Sequence, residues 1–190
     1  MKKLFSLLVV ALISTSVFAQ SQWNSDKAHS QLNFTITHLG IADVSGLFKD
    51  FEATILASED DFSDAVFELS VDVASIDTEI EKRDEHLRSP DFFEVEKYPL
   101  MTYKSTSITK SGKNKYKLTG DLTLHGVTKS VTMDLLYRGT IDTERAKDSK
   151  AGFQLTGEIK RSDFNIGSGF PEAMLSDEVT IKADGEFVKQ

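Results

Sequence analysis

Apolar and polar residues alternate along most of the chain, and this period of two predicts β-strands. In the first run Leu32, Phe34 and Ile36 share one face, and the intervening positions are polar. The alternation recurs in residues 66–73, 115–124, 131–137, 153–159 and 179–187, and more weakly in residues 51–57 and 101–107. Strands with one apolar and one polar face are typical of antiparallel barrels and sandwiches. The pattern therefore predicts about eight strands.

The connecting segments indicate how these strands are joined. Residues 111–114 and 125–128 are short and turn-forming, so each predicts a hairpin between neighbouring strands. Residues 139–150 and 162–177 predict longer loops, which often form the mouth of a closed barrel. We therefore predict an all-β fold, an eight-stranded antiparallel β-barrel. A barrel of this size is either filled by its own side chains or holds one small ligand.

One segment, residues 75–103, is rich in charged residues and departs from the strand pattern. Good helix formers over residues 79–88 predict a helix. Ser89 and Pro90 then predict a stop and the start of a second short helix, with Ser89 as its N-cap. The apolar side of that second helix is formed by Phe92, Phe93 and Val95. We interpret the segment as a short helical insert that closes one end of the barrel, either as a plug or as part of a ligand entrance.

The first 19 residues predict a signal peptide. Lys2 and Lys3 precede the apolar residues 4–13, and Val17 and Ala19 supply small residues at the positions that a signal peptidase reads. Cleavage is expected before Gln20, which leaves residues 20–190 as a single domain. No stretch reaches the roughly 20 apolar residues of a spanning helix, so no stable membrane insertion is expected. The mature protein is expected to be soluble and periplasmic.

Charge and composition exclude several functions. The formal net charge of −8 argues against nucleic acid and against docking on anionic lipid by charge alone. The chain has no cysteine, which excludes disulfides, thiolate nucleophiles and Cys-ligated zinc. Its stability must therefore come from the core.

Histidines and nucleophiles give little indication of catalysis. None of the histidines has the spacing of a compact zinc site; they are His29, His38, His86 and His125. Asp84 and His86 are two residues apart, so on a helix their side chains point apart. Ser168 lacks the context of a nucleophile elbow. We therefore predict no catalytic residue, no metal and no cofactor.

The residue order of the charged segment resembles a known family. The order I-D-T-x4-R-D-x-H-L-R-S-x-D-F-F-x-V-x-K-Y-P at residues 76–99 resembles the signature of the YceI-like family of exported, polyisoprenoid-binding, lipocalin-like proteins. Residues 23–48, with W-x2-D-x2-H-S, H-L-G and V-x-G-x-F, resemble the opening of that family. Residues 120–129 (G-D-L-T-L-H-G-V-T-K) resemble its central hairpin, and residues 161–164 (R-S-D-F) its late arginine motif. Asn165 stands where the family commonly has glycine.

The resemblance implies a lipocalin-like barrel whose lumen holds an isoprenoid or a similar amphiphilic lipid. The implied role is transport, storage or sequestration of that lipid, which could include a part in envelope stress. Whether the protein forms a homodimer is left open. The alternatives are a protein-interaction or inhibitory barrel with a packed lumen, and a lipid-modifying hydrolase.

The candidate ligand-binding residues are the inward-facing positions of the predicted strands. They are Phe34, Ile36, His38, Phe67, Leu69, Leu118, Leu122, Met133, Leu135, Phe153, Leu155 and Arg161. From alternation alone, the apolar members equally describe a dry core. His38 and Arg161 fall in phase with apolar faces, where a charge is costly unless it is paired. We expect them to meet a lipid head group or to be satisfied by carboxylates such as Asp77 or Asp84.

Overall fold

All eight predicted strands are present. The structure, a computed structural model, describes residues 20–143 and 147–190. Within these residues the strands are β1 (Ser21–Ser25), β2 (Gln31–His38), β3 (Ala42–Phe48), β4 (Phe51–Ala57), β5 (Val66–Asp72), β6 (Ile76–Asp77), β7 (Leu100–Gly112), β8 (Lys115–Leu124), β9 (Val127–Thr143), β10 (Asp148–Lys160) and β11 (Leu175–Lys189), and the α-helix is α1 (Glu81–Arg88). The predicted signal peptide, residues 1–19, lies outside the described residues.

The sheet closes on itself. β1 pairs with β4, and the order continues through β5, β7, β8, β9, β10 and β11. β11 pairs back onto β1, where Trp23 lies opposite Lys189. Every pair in this ring is antiparallel. The ring confirms the predicted eight-stranded antiparallel barrel.

The other end of the barrel is built differently. There the first part of β11 pairs with β2 in place of β1, from Leu175 opposite His38 to Asp184 opposite Gln31. β2 pairs with β3, and β3 pairs with the two-residue strand β6. Residues 75–103 of the insert contribute β6 and the start of β7 to the sheet, and its remaining part, residues 78–99, connects these two strands. This end of the barrel is therefore where the helical segment lies.

Three strands, β1, β3 and β6, go beyond the sequence prediction. β1 and β6 have five and two residues, which is too short to show a period. In β3 the alternation is interrupted by Gly46, which is buried. A Cβ at Gly46 would lie 2.5 Å from the ring of Phe34, so the glycine makes room for that ring.

The prediction of a second helix after Ser89 is wrong. Residues 90–97 form successive turns instead. The N–H of Phe93 donates to the carbonyl of Leu87 at 3.0 Å, which folds the chain back on the end of α1. Glu94 has a φ of +45°, which an α-helix does not allow.

The prediction of a long loop at residues 139–150 is also wrong for the described residues. β9 continues to Thr143 and β10 begins at Asp148, and these two residues are paired with each other. Ile141 is 63% exposed, so this part of the hairpin lies against solvent. Since neither face is buried there, no apolar alternation marks the strands.

Candidate ligand-binding site

The barrel interior has two halves that are filled differently. In one half, which we call the packed half, six aromatic rings form an aromatic cluster. These rings belong to Trp23, Phe62, Phe67, Tyr137, Phe153 and Phe187. The ring centroid of Phe153 lies 5.0 Å from that of Phe62, 5.4 Å from that of Phe67 and 5.7 Å from that of Phe187. Rings at these separations stabilise each other beyond the area they bury.

The other half, which we call the hollow half, contains a cavity of about 400 Å³. This volume lies within the range of small-ligand pockets. Strands supply most of its wall, through Leu32, Phe34, Ile36, Val44, Phe48, Leu69, Met101, Tyr103, Leu122, Leu124, Met133, Leu155, Ile159, Val179 and Ile181. The wall is thus predominantly apolar, with Arg161, Arg83, His86 and His38 among its polar members.

Eight of the twelve predicted residues line this cavity, and four do not. The eight are Phe34, Ile36, His38, Leu69, Leu122, Met133, Leu155 and Arg161. The other four, Phe67, Leu118, Leu135 and Phe153, are buried in the core beside them. All twelve lie on or next to inward-facing strand positions, but alternation does not say how far along each strand the cavity extends.

The wall also contains apolar residues that the sequence did not mark as ligand-binding. The insert supplies Leu87, Phe92 and Phe93, and the loop before β11 supplies Ile166 and Phe170. The rings of Phe92 and Phe170 stack with centroids 4.9 Å apart, so the insert and the loop meet over the cavity. The signal for this was the pair Phe92 and Phe93, two large apolar residues in an otherwise charged segment.

Hydrogen bonds fix the start of the insert. Asp84 is 4% exposed and accepts from the backbone N–H of Thr78 at 2.9 Å and from its hydroxyl. Arg83 donates from Nε to the Thr78 hydroxyl at 2.7 Å and from Nη2 to the Thr78 carbonyl at 2.6 Å. The Nε2 of His86 lies 2.9 Å from the carboxylate of Asp91 instead. Arg83, Asp84 and His86 therefore do not converge as an acid-base group.

The end of the insert packs on the turn between β8 and β9. This turn consists of His125 and Gly126, with φ values of +50° and +73°, as a two-residue hairpin turn requires. The ring centroids of Tyr98 and His125 are 4.5 Å apart. A Cβ at Gly126 would lie 2.5 Å from the Tyr98 ring. Nδ1 of His125 pairs with the Phe164 carbonyl at 3.0 Å, which ties the turn to the loop as well.

Arg161 is buried and bonded entirely to backbone. Nε donates to the carbonyl of Ser176, Nη1 to those of Ile166 and Gly167, and Nη2 to those of Phe170 and Leu175, at 2.6–3.1 Å. A guanidinium has five N–H donors, so all of them are used. The expected partners, Asp77 and Asp84, accept from other groups. The expectation of a carboxylate partner for Arg161 is therefore wrong, and its N–H donors are taken up by backbone carbonyls.

Two further residues shape the loop that Arg161 holds. Asn165 has a φ of +58°, a left-handed conformation that glycine adopts freely and asparagine tolerates. Burial alone would raise the pKa of Asp177, but hydrogen bonds from the Ser162 N–H and hydroxyl, together with the charge of Arg161, lower it overall. The loop is thus held by polar bonds at both ends.

Exposed residues of the cavity wall lie at two places, His86 on α1 and the pair His38 and Met174 beside the turn between β2 and β3, and we take the second place as the mouth. His38 and Met174 line the cavity and are exposed. The N–H of Leu39 donates to the Met174 carbonyl at 2.9 Å, which joins the turn to the loop. Leu39 and Ile41 beside it are 48% and 85% exposed. The mouth is therefore bordered by apolar side chains, and His38 is its ionisable group.

A cluster of ionisable residues lies away from the cavity. Asp26, His29 and Glu186 have their ligand atoms within 4.8 Å of one another. The hydrogen bond to Asp26 raises the pKa of His29. Nζ of Lys150 lies 2.6 Å from Glu186 and 4.0 Å from Asp26, so an ammonium already offsets part of the charge of these carboxylates. We interpret this group as an ion-pair cluster.

A closed antiparallel barrel around an apolar cavity defines a small-ligand-binding barrel. The chain belongs to the YceI-like family, because a YceI-like domain is matched over residues 23–187. It is 36% identical to protein YceI of Salmonella arizonae over 187 residues, 97% of each chain. In the part of the chain that the structure describes, no helix has the length and apolar character needed to cross a membrane.

Solved structures share the fold. Burkholderia cenocepacia BcnA is similar with a TM-score of 0.77 and 27% identity, covering 85% of this chain and 98% of that one. A polyisoprenoid binding domain from Saccharophagus degradans has a TM-score of 0.67 and 18% identity, covering 89% and 98%. The second likeness shows the fold alone.

Proposed function

We propose that this protein binds the hydrocarbon chain of an isoprenoid or similar amphiphilic lipid in the hollow half of the barrel. The observation that carries the proposal is the apolar cavity of about 400 Å³ inside a closed barrel. Protein interiors normally pack without voids of this size, and apolar cavities take up apolar molecules rather than water. An apolar ligand is therefore the occupant that suits the wall.

Burial of a hydrocarbon chain can supply the binding free energy without a strong polar anchor. Burial contributes about 0.8 kcal/mol per methylene, so ten carbons supply roughly 8 kcal/mol before ordering costs. That gross value corresponds to about micromolar affinity. The bonds of Arg161 leave it no free N–H, so the head group is held at the mouth, beside His38 and Met174.

Family membership and the predicted signal peptide support a location in the periplasm, where the protein would carry, store or sequester the lipid. No chemical step is part of this function, since the ionisable groups of the insert bond to one another and to backbone. A polyisoprenoid binding domain has the same fold. The alternative, a protein-interaction barrel, requires a lumen filled by the protein's own side chains. Only the packed half is filled in this way.

A cavity-filling variant tests the proposal. Leu122 lines the cavity, and Asp121 beside it on β8 is exposed. In titrations with a fluorescent apolar probe, we expect Leu122→Trp to weaken binding at least about tenfold, because the indole occupies the volume of several carbons. Asp121→Trp places the same ring outside the barrel and should bind as the wild type does. Equal affinity in all three proteins would contradict the proposal.

A further inference from the structure

Exposed apolar side chains gather at the mouth of the cavity. In the part of the chain that the structure describes, six large apolar side chains are exposed, and three of them lie here: Leu39, Ile41 and Met174. Met174 also lines the cavity, so the apolar wall continues through it onto the surface. Singly exposed apolar residues need no explanation, whereas a group of them marks an interaction surface. We call Leu39, Ile41 and Met174 the apolar rim.

The backbone under the apolar rim is fixed by hydrogen bonds. The N–H of Leu39 donates to the Met174 carbonyl at 2.9 Å, and the N–H of Ile41 donates to the His38 carbonyl at 3.2 Å. Leu39 has a φ of +52°, a left-handed conformation that is unfavourable for leucine and is usually adopted by glycine or asparagine. The turn thus keeps an exposed leucine where a polar residue would fold more favourably. Strain of this kind points to a use of the side chain outside the fold.

The charges around the apolar rim narrow the choice of partner. The two segments that form the mouth, residues 37–43 and 170–178, contain no lysine or arginine. Besides His38, their ionisable residues are acidic, and they are Asp43, Glu172, Asp177 and Glu178. Acidic surroundings repel an anionic membrane but do not oppose contact with lipids of no net charge. The rim therefore suits an apolar partner surface that is electrically neutral.

Resting on the proposed function, we propose that the apolar rim docks this protein on a bilayer of zwitterionic lipids, with the mouth of the cavity facing the membrane. The side chains of the rim enter the boundary between head groups and acyl chains, and their burial there supplies the affinity. An amphiphilic lipid then passes between the bilayer and the cavity along an apolar path, and its hydrocarbon chain does not cross water.

Flotation of the full-length protein with phosphatidylcholine vesicles tests the docking, and two exposed isoleucines provide matched variants. Ile41 is in the rim and is 85% exposed, whereas Ile141 is 63% exposed and pairs with Lys150 at the opposite end of the barrel. Ile41→Ser should lower the vesicle affinity about tenfold or more, because its side chain no longer gains from burial. Ile141→Ser should change it less than about twofold. Absence of vesicle binding by the wild type, or equal affinity in all three proteins, would overturn the docking.

Leu39→Asn separates docking from folding. Asparagine tolerates the left-handed conformation, so this variant should melt at the temperature of the wild type or above it. Its vesicle affinity should nevertheless fall about fivefold, since the buried area of the leucine is lost. Vesicle affinity equal to that of the wild type would overturn the role of Leu39 in docking.

A single fluorescent label shows which surface meets the vesicle. The chain has no cysteine, so an environment-sensitive fluorophore can be placed on Ile41→Cys or on Ile141→Cys alone. Adding phosphatidylcholine vesicles should shift the emission to shorter wavelength for the label at position 41 and leave it unchanged at position 141. A second copy of the chain is the competing occupant of the rim. An emission shift that follows protein concentration without vesicles, and that vesicles do not change, would identify this occupant and overturn the docking.

Lipid composition and probe titration distinguish the remaining outcomes. Replacing about a third of the phosphatidylcholine by phosphatidylglycerol should weaken binding at low salt, because the mouth is acidic. Tighter, salt-sensitive binding to these anionic vesicles would overturn docking by the rim. Protein that takes up a fluorescent apolar probe but binds no vesicles would overturn the docking and leave the proposed function standing. Protein that docks through Ile41 but takes up no probe would support the docking and contradict the proposed function.

Discussion

The packed half and the hollow half are formed by strands with the same alternation of apolar and polar residues, but the two halves are stabilised differently. In the packed half, Phe153 and its neighbours fill the barrel with rings in mutual contact. In the hollow half, apolar walls face a cavity, and the covering segments are held by polar bonds such as those of Arg161 and Asp84. The comparison indicates that one end of the barrel provides stability, while the other keeps space for a ligand.

The largest effect is expected at Arg161, which makes five of the hydrogen bonds that hold the loop over the hollow half. Arg161→Met should lower the free energy of unfolding by about 3–5 kcal/mol, because it leaves five buried or partly buried carbonyls without their donor. Urea denaturation measures this. The exposed Arg138, paired with Asp184, provides the control, and Arg138→Met should change stability by less than about 1 kcal/mol. A similarly small effect at Arg161 would mean that polar bonds do not hold the loop.

The same truncation in each half of the barrel compares the two halves directly. Leu118 and Leu122 lie on β8 and are 1% and 6% exposed, but only Leu122 borders the cavity. Without ligand, Leu118→Ala should lower the free energy of unfolding by about 3–4 kcal/mol and Leu122→Ala by about 1–2 kcal/mol, since Leu122 already borders empty space. Urea titration of both variants gives the difference. Equal losses would indicate that the hollow half is packed in solution.

Tyr103, whose ring lines the cavity, reports whether water reaches the boundary between the two halves. Burial raises its pKa from 10.0 to about 12, with the charge of Asp121 adding to the shift. The folded state thus holds the proton more tightly, so the stabilisation is complete below pH 10 and is lost as the pH rises through about 12. Over that range the wild type should lose about 2–3 kcal/mol more than Tyr103→Phe. Parallel pH dependences in urea denaturation would mean that the hydroxyl is hydrated.

A smaller effect is expected at the start of the insert. Asp84→Ala removes the acceptor of the Thr78 N–H and hydroxyl, which should cost about 1–2 kcal/mol and speed ligand release. Stopped-flow displacement of a bound probe measures the release rate. Glu85→Ala, at the exposed neighbouring position, should leave the rate unchanged. Unchanged release in Asp84→Ala would indicate that the insert does not cover the exit.

The strands and the closed barrel could be predicted because burial on one face imposes a period of two on the sequence. The division into two halves could not be predicted. Leu118 and Leu122 face inward alike, and only the packing of distant rings decides which of them meets empty space. The partners of Arg161 were missed for a similar reason, because backbone carbonyls have no signature in the residue order. The strand β3 was not predicted because Gly46 occupies a position where the alternation requires an apolar side chain.

The most direct test of the ligand-binding role is gentle purification of the full-length protein from its native host, followed by organic extraction and mass spectrometry. We expect close to one long-chain apolar lipid per protein molecule, retained through purification because its chain lies in the hollow half. A parallel preparation of Leu122→Trp should carry much less of it. Wild-type protein that yields no stoichiometric lipid, and that also fails to take up an added prenyl alcohol, would contradict the role.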